Sequence, residues 1–190
     1  GQGAVADLTY DELQMLDAGF GLKTLSGERP FASKNVRIPR FEEVLAAFPE
    51  QRIIAEVKSD TPEIEKIIVE MIRKARAEER VVVGSYSASI LRRFRSLAPE
   101  LKYAASYEET LQALVLLGLK IAPIGKFAPD LFAIPETHQG VQVLSEDLLA
   151  EVQRRKKKLF VWTVNEEADM RRLLKMGVDG LITDRPSLLY

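Results

Sequence analysis

Ile53-Ile54-Ala55-Glu56-Val57-Lys58, closed by Ser59-Asp60-Thr61-Pro62, is the stretch on which the fold turns. Its β-branched residues form a short apolar run ended by a turn-like polar segment, the pattern of a strand. Thr61 at an N-cap with Pro62 at the first helical position predicts that a helix follows. In that helix Ile64, Ile67, Ile68, Met71 and Ala75 fall at helical spacing and form one stripe.

The same unit then recurs. Val81–Tyr86 reads as a strand, and Ser87 caps a helix whose buried side is Ile90, Leu91, Phe94 and Leu97. Lys102–Ser106 is the next strand, before a helix carrying Leu111, Leu114 and Val115 that stops at Gly118. Leu131–Pro135 is a short strand, and Ser145 caps a helix with Leu148, Leu149 and Val152. Leu159–Val164 is a strand, Asn165 caps a helix with Met170, Leu173 and Leu174 that stops at Gly177, and Gly180–Thr183 closes the series.

Six apolar strands alternating with amphipathic helices specify an α/β fold with a parallel sheet covered by helices. Pattern alone is compatible with an open doubly wound sheet and with a closed barrel. An eight-stranded TIM-type (β/α)8 barrel takes ~250 residues, so six strands would be two units short of one. Upstream, Thr9-Tyr10-Asp11-Glu12 has the spacing of a capping box. A further helix carries Phe41, Val44, Leu45 and Phe48, and residues 18–39, rich in Gly, Ser and Lys, read as a loop or insertion. The 190 residues read as one domain.

Composition narrows the function. With 27 basic and 28 acidic side chains the net charge is −1, which argues against a nucleic-acid partner. The absence of cysteine excludes disulfides, thiolate nucleophiles and Cys-based zinc sites. No apolar run approaches the ~18 residues of a membrane span. Gly1-Gln2-Gly3-Ala4-Val5 is expected to be neither a signal peptide nor a natural start.

Glu56 and Lys58 stand two apart on one strand and so share a face. At the C-terminal end of a parallel strand they are either a structural ion pair or part of a site, since barrel active sites are built at these ends. Trp162, the sole tryptophan, is mid-strand, where core burial is the commoner use. Asn165 is accounted for as a cap, and Asp184, at the C-terminal end of its strand, as a cap or a partner of Arg185 in preference to the rim of a site. Gly177-Val178-Asp179-Gly180 reads as a helix stop plus a turn. His138, the only histidine, lies in a polar loop and reads as a surface residue. A lone histidine cannot supply a paired acid and base. Arg154-Arg155-Lys156-Lys157-Lys158 reads as a solvated helix end. Lys58 as a Schiff-base nucleophile would identify a different barrel enzyme, a reading that the adjacent Glu56 disfavours.

Several stretches together resemble the glycerophosphodiester phosphodiesterase family. Gly3-Ala4-Val5-Ala6-Asp7-Leu8-Thr9-Tyr10-Asp11-Glu12-Leu13 and Ile38-Pro39-Arg40-Phe41-Glu42-Glu43-Val44-Leu45 are similar to family segments. Ile54-Ala55-Glu56-Val57-Lys58 is similar to the family's Ile-Glu-Ile-Lys strand. Most specific is Val161-Trp162-Thr163-Val164-Asn165 with Gly177-Val178-Asp179-Gly180-Leu181-Ile182-Thr183-Asp184-Arg185-Pro186.

The resemblance implies a TIM-type (β/α)8 barrel of which strands three to eight lie in this chain. It implies metal-dependent hydrolysis of a small-molecule glycerophosphodiester to an alcohol and glycerol 3-phosphate. Three carboxylates would hold Ca²⁺ or Mg²⁺, hard cations suited to oxygen ligands, with two histidines as acid and base. Carried over by motif, Glu56 is one metal carboxylate, Lys58 contacts the phosphate or tunes that carboxylate, and Trp162 lines the substrate pocket. The family's catalytic histidines and its other two metal carboxylates belong upstream of Gly1, so the 190 residues alone are expected to lack activity. A non-catalytic barrel remnant, closed by another chain as a homo-oligomer, is the alternative expectation.

Overall fold

The computed structural model describes residues 3–24 and 26–189. The chain divides into two compact units, Gly1–Pro49 and Glu50–Tyr190. The first contains α1 (Tyr10–Gln14) and α2 (Phe41–Ala47), with Leu13 and Leu45 buried. The expected capping box is present: Glu12 N donates to Thr9 Oγ1 at 3.3 Å, and Thr9 N donates to Glu12 Oε2 at 2.7 Å. Between the two helices the described residues form neither helix nor strand. Asp17 organises part of that segment, its carboxylate accepting from Gly19 N at 2.9 Å and Ser33 N at 2.7 Å.

The second unit holds all six expected strands in parallel. β1 (Ile53–Glu56) is followed by α3 (Ile64–Lys74), β2 (Val81–Gly84), α4 (Ala88–Leu97), β3 (Lys102–Tyr103) and α5 (Tyr107–Gly118). Next come β4 (Leu131–Pro135) and a hairpin of β5 (Thr137–His138) and β6 (Val141–Gln142). The unit continues with α6 (Glu146–Arg154), β7 (Lys158–Trp162), α7 (Glu167–Met176) and β8 (Gly180–Leu181). Two three-stranded sheets, β1-β2-β3 and β4-β7-β8, are joined by a parallel bridge between Ala104 and Leu131. Register is set by Ile53 opposite Val81, Leu131 opposite Lys158 and Phe160 opposite Gly180. The array is open. Among the described residues β1 pairs only with β2, and β8 only with β7.

The helix-facing side of the strands makes the core. Phe132, Ile134, Leu159 and Val161 pack with Leu148 and Val152 of α6 and Met170 and Leu173 of α7, all essentially inaccessible. Gly177 ends α7 as expected, at φ 97°, a left-handed conformation that suits a residue without Cβ. Gly180 does more than turn the chain, because a Cβ there would lie 2.8 Å from the Phe160 ring.

Several local expectations fail for identifiable reasons. Thr61 does not cap α3; the helix starts at Ile64 after Glu63 in the left-handed region. Its packing face is then centred on Val69 and Ile72, leaving Ile67 and Ala75 exposed. Ser87 occupies the N-cap of α4, but its hydroxyl bonds Ser89 instead of the helix backbone. Leu97 and Leu174, each at the edge of its helix's apolar face, are partly exposed. β3 is shorter than its apolar run because Ser106 begins α5 at once with a reciprocal capping box to Glu109.

The basic end of α6 is tied down within the protein. Arg154 and Arg155 pair with Glu151, Lys157 with Asp130, and Lys158 with Asp179.

A candidate active-site cavity at the strand C-termini

The backbone places the ends of six parallel strands around one cavity of about 670 Å³. Alternation along β1 aims Ile54, Glu56 and Lys58 into it, while Val57 turns away and is buried. Glu56 Oε2 and Lys58 Nζ are 3.4 Å apart, with side chains 51% and 79% exposed. At that exposure the pair contributes at most ~1 kcal/mol to stability, and both charges keep enough solvent contact to face the cavity at little desolvation cost. Val57 O, between them, accepts from the buried Ser85 hydroxyl at 2.7 Å, which fixes the end of β1 to the end of β2.

Trp162 is not a core residue. It ends β7 on the cavity side, 40% exposed, while Leu159 and Val161 on the other face are buried. Its indole N–H donates to Ala133 O at 2.9 Å, and its peptide bond to Thr163 is cis. The structure thus brings Glu56, Lys58 and Trp162 to the walls of the same cavity.

Asn165 and Asp184 behave differently from their expected roles. α7 is capped at Glu166, and Asn165 instead clamps the end of β8. Asn165 Oδ1 accepts from Thr183 Oγ1 at 3.1 Å and Asp184 N at 2.9 Å, while its amide nitrogen donates to Asp184 Oδ2 at 3.0 Å. Asp184 therefore bonds Asn165, and Arg185 pairs with Glu166 at 3.5 Å. This clamp supports the rim next to Thr163 and Ile182, which line the cavity.

The profile of the glycerophosphoryl diester phosphodiesterase family matches residues 1–188. The chain belongs to that family. A glycerophosphodiester phosphodiesterase of Caldanaerobacter subterraneus is 33% identical over 196 residues, spanning all of this chain and 72% of the relative. A Silicibacter pomeroyi structure assigned as a glycerophosphoryl diester phosphodiesterase superposes with a TM-score of 0.74 at 29% identity. That match covers 98% of this chain and 69% of the other. The glycerophosphoryl diester phosphodiesterase domain of a Mycobacterium tuberculosis protein reaches 0.76 at 21% identity, a likeness of fold, over 97% of this chain and 74% of that one. These structural neighbours are TIM-type barrels, and family members are hydrolases.

Two features of this glycerophosphodiester phosphodiesterase-family cavity escaped sequence reasoning. His138 is half-buried and lines the cavity instead of standing on a surface loop. It is carried there by the β5–β6 hairpin, whose turn residues Gln139 and Gly140 both have positive φ, as a tight primed turn requires. Its ring meets Tyr107 edge-on at 6.0 Å, and Tyr107 stacks on Tyr86 at 5.0 Å, forming an aromatic wall. Tyr86 was accessible from the pattern, since it follows the β2 run as Lys58 follows that of β1. The hairpin was not, because two-residue strands have no periodicity to read.

Hard cations take six or more oxygen ligands. Glu56 is the only carboxylate among the described cavity residues, and the described residues contain no group of three or more His, Cys, Asp or Glu suited to a metal. These side chains do not by themselves make a calcium or magnesium site.

Proposed function

We propose that this chain provides the strand-three-to-eight portion of a (β/α)8 barrel that hydrolyses glycerophosphodiesters to an alcohol and glycerol 3-phosphate. The observation carrying this reading is the placement of a carboxylate and an ammonium side by side at the end of β1, facing the cavity that Trp162 also lines. In this reading Glu56 is one of three carboxylates for Ca²⁺ or Mg²⁺, with the other two supplied from outside these 190 residues. The two acid–base histidines also come from outside, since a single His138 cannot fill both roles. A bound divalent ion would polarise a phosphoryl oxygen. Lys58 holds positive charge beside the phosphate, and Trp162 packs against the substrate.

Glu56→Gln in the full-length protein tests the assignment. It is expected to lower turnover by roughly 10²-fold or more, the effect of losing several kcal/mol of metal-derived stabilisation. It should also weaken metal binding measured by calorimetry. Unchanged turnover and metal affinity would show that Glu56 has another task.

The isolated carboxylate also suits a second reading, in which residues 1–190 form a non-catalytic binding module whose open edges pair with another chain. That reading requires no phosphodiesterase activity from the full-length protein with any divalent metal, and a stable oligomer in solution.

A further inference from the structure

From Thr110 to Pro129 the sequence contains no acidic residue, while Lys120 and Lys126 are its only charges. Along α5 and just past its end, Tyr107, Leu111, Val115 and Leu119 follow at a spacing of four and are between 41% and 63% exposed, the first of them beside Glu108 and Glu109 and the other three inside the acid-free stretch. In the segment after the helix Ile124 is also exposed, at 84%. Globular proteins expose single apolar residues freely, but a contiguous ridge of this kind marks a contact surface. Both lysines are exposed, and among the described residues neither forms an ion pair. The ridge is also continuous with the cavity, because Tyr107 and Leu111 line both.

We infer that this ridge docks on an anionic lipid surface, inserting Leu119 and Ile124 among the acyl chains while Lys120 and Lys126 meet the headgroups. An apolar face flanked by lysines is the chemistry of interfacial binding. No helix among the described residues is long and apolar enough to cross a membrane, so the contact lies at the interface. The cavity would then open toward the surface, favouring amphiphilic phosphodiesters over free ones. That last step rests on the hydrolase reading. The docking itself does not.

Sedimentation of the full-length protein with vesicles tests the docking without reference to activity. Vesicles of phosphatidylcholine with one-third phosphatidylglycerol should retain the protein, and pure phosphatidylcholine vesicles should retain it much less. Each lysine is expected to contribute about fivefold to partitioning near an anionic surface. K120Q/K126Q should therefore bind roughly 25-fold more weakly, and wild-type protein should also bind more weakly in high salt. L119E/I124E alters exposed positions outside the cavity and should abolish retention while sparing turnover of a water-soluble glycerophosphodiester. Absence of retention, retention unaffected by L119E/I124E, or a wild-type dimer that this variant splits would each overturn the docking proposal. Loss of turnover on soluble substrate in wild-type protein that still binds vesicles would refute the hydrolase reading alone.

Discussion

Replacing Glu151 with glutamine tests how the second unit secures α6. Glu151 is buried, and its carboxylate accepts from Arg154 Nη2 and Arg155 Nε, both at 2.7 Å, and from Arg154 Nε at 2.9 Å. Arg155 also donates to Ala122 O at 2.6 Å and lies 4.1 Å over the Phe127 ring, tying α6 to the segment before β4. The hydrogen bonds from Arg154 are the largest influence on this carboxyl. They outweigh its burial and, with those from Arg155, hold its pKa down from 4.5 to about 2. At ~1.4 kcal/mol per pKa unit that shift sets a ceiling of roughly 3 kcal/mol. Arg154 is half-exposed, so solvent screens its share, and pairs three and four apart on a helix contribute only about 0.5 kcal/mol each. The expected loss in Glu151→Gln is therefore about 1–2 kcal/mol at pH 7, or roughly 2–8 °C in melting temperature for a chain of this size. The sign with pH is fixed, since a carboxylate with a lowered folded pKa stabilises fully above its unfolded value and loses that contribution as pH falls through the folded one. Urea titrations of both proteins should show a constant gap from pH 7 to about 4.5, closing toward pH 2. No measurable gap at pH 7, or one that persists at pH 2, would refute the electrostatic account.

Phe94→Ala removes the inaccessible ring of α4 and should destabilise the protein by about 3–5 kcal/mol in chemical denaturation. Asn165→Ala frees the clamp on Thr183 and Asp184, and is expected to cost ~1–3 kcal/mol, with faster amide exchange at Asp184. Gly180→Ala sets a methyl against the Phe160 ring and should lower stability by about 1–3 kcal/mol, where an ordinary turn glycine would tolerate the change. If Trp162 packs against substrate as proposed, Trp162→Ala should raise KM about tenfold with little change in kcat, the equivalent of one aromatic contact.

The fold was legible to the level of strands and their parallel arrangement. Ile53–Glu56, Val81–Gly84 and Leu131–Pro135 appear where apolar runs bounded by turns indicated them, because the helix-covered side of each strand must be apolar. Capping was legible only in part. Thr9 and Ser145 cap as their spacing suggests, whereas Thr61, Ser87 and Asn165 place their side chains in other hydrogen bonds or outside the helix start. Spacing shows which bond is available, and the surrounding chain decides which is made. The candidate site followed the same division. Two-residue periodicity indicated that Glu56 and Lys58 share a face, but Trp162 was legible as a cavity residue only through family resemblance.

By itself, the sequence determined the α/β class, the order of six parallel strands and the family, since these rest on local periodicity and on motifs contiguous in the chain. Tertiary structure alone decided that His138 joins Tyr86 and Tyr107 in one wall and that α5 leaves an apolar row in solvent. Those outcomes depend on how strand ends far apart in the sequence converge and how each helix rotates onto the sheet, and no short window of sequence encodes either.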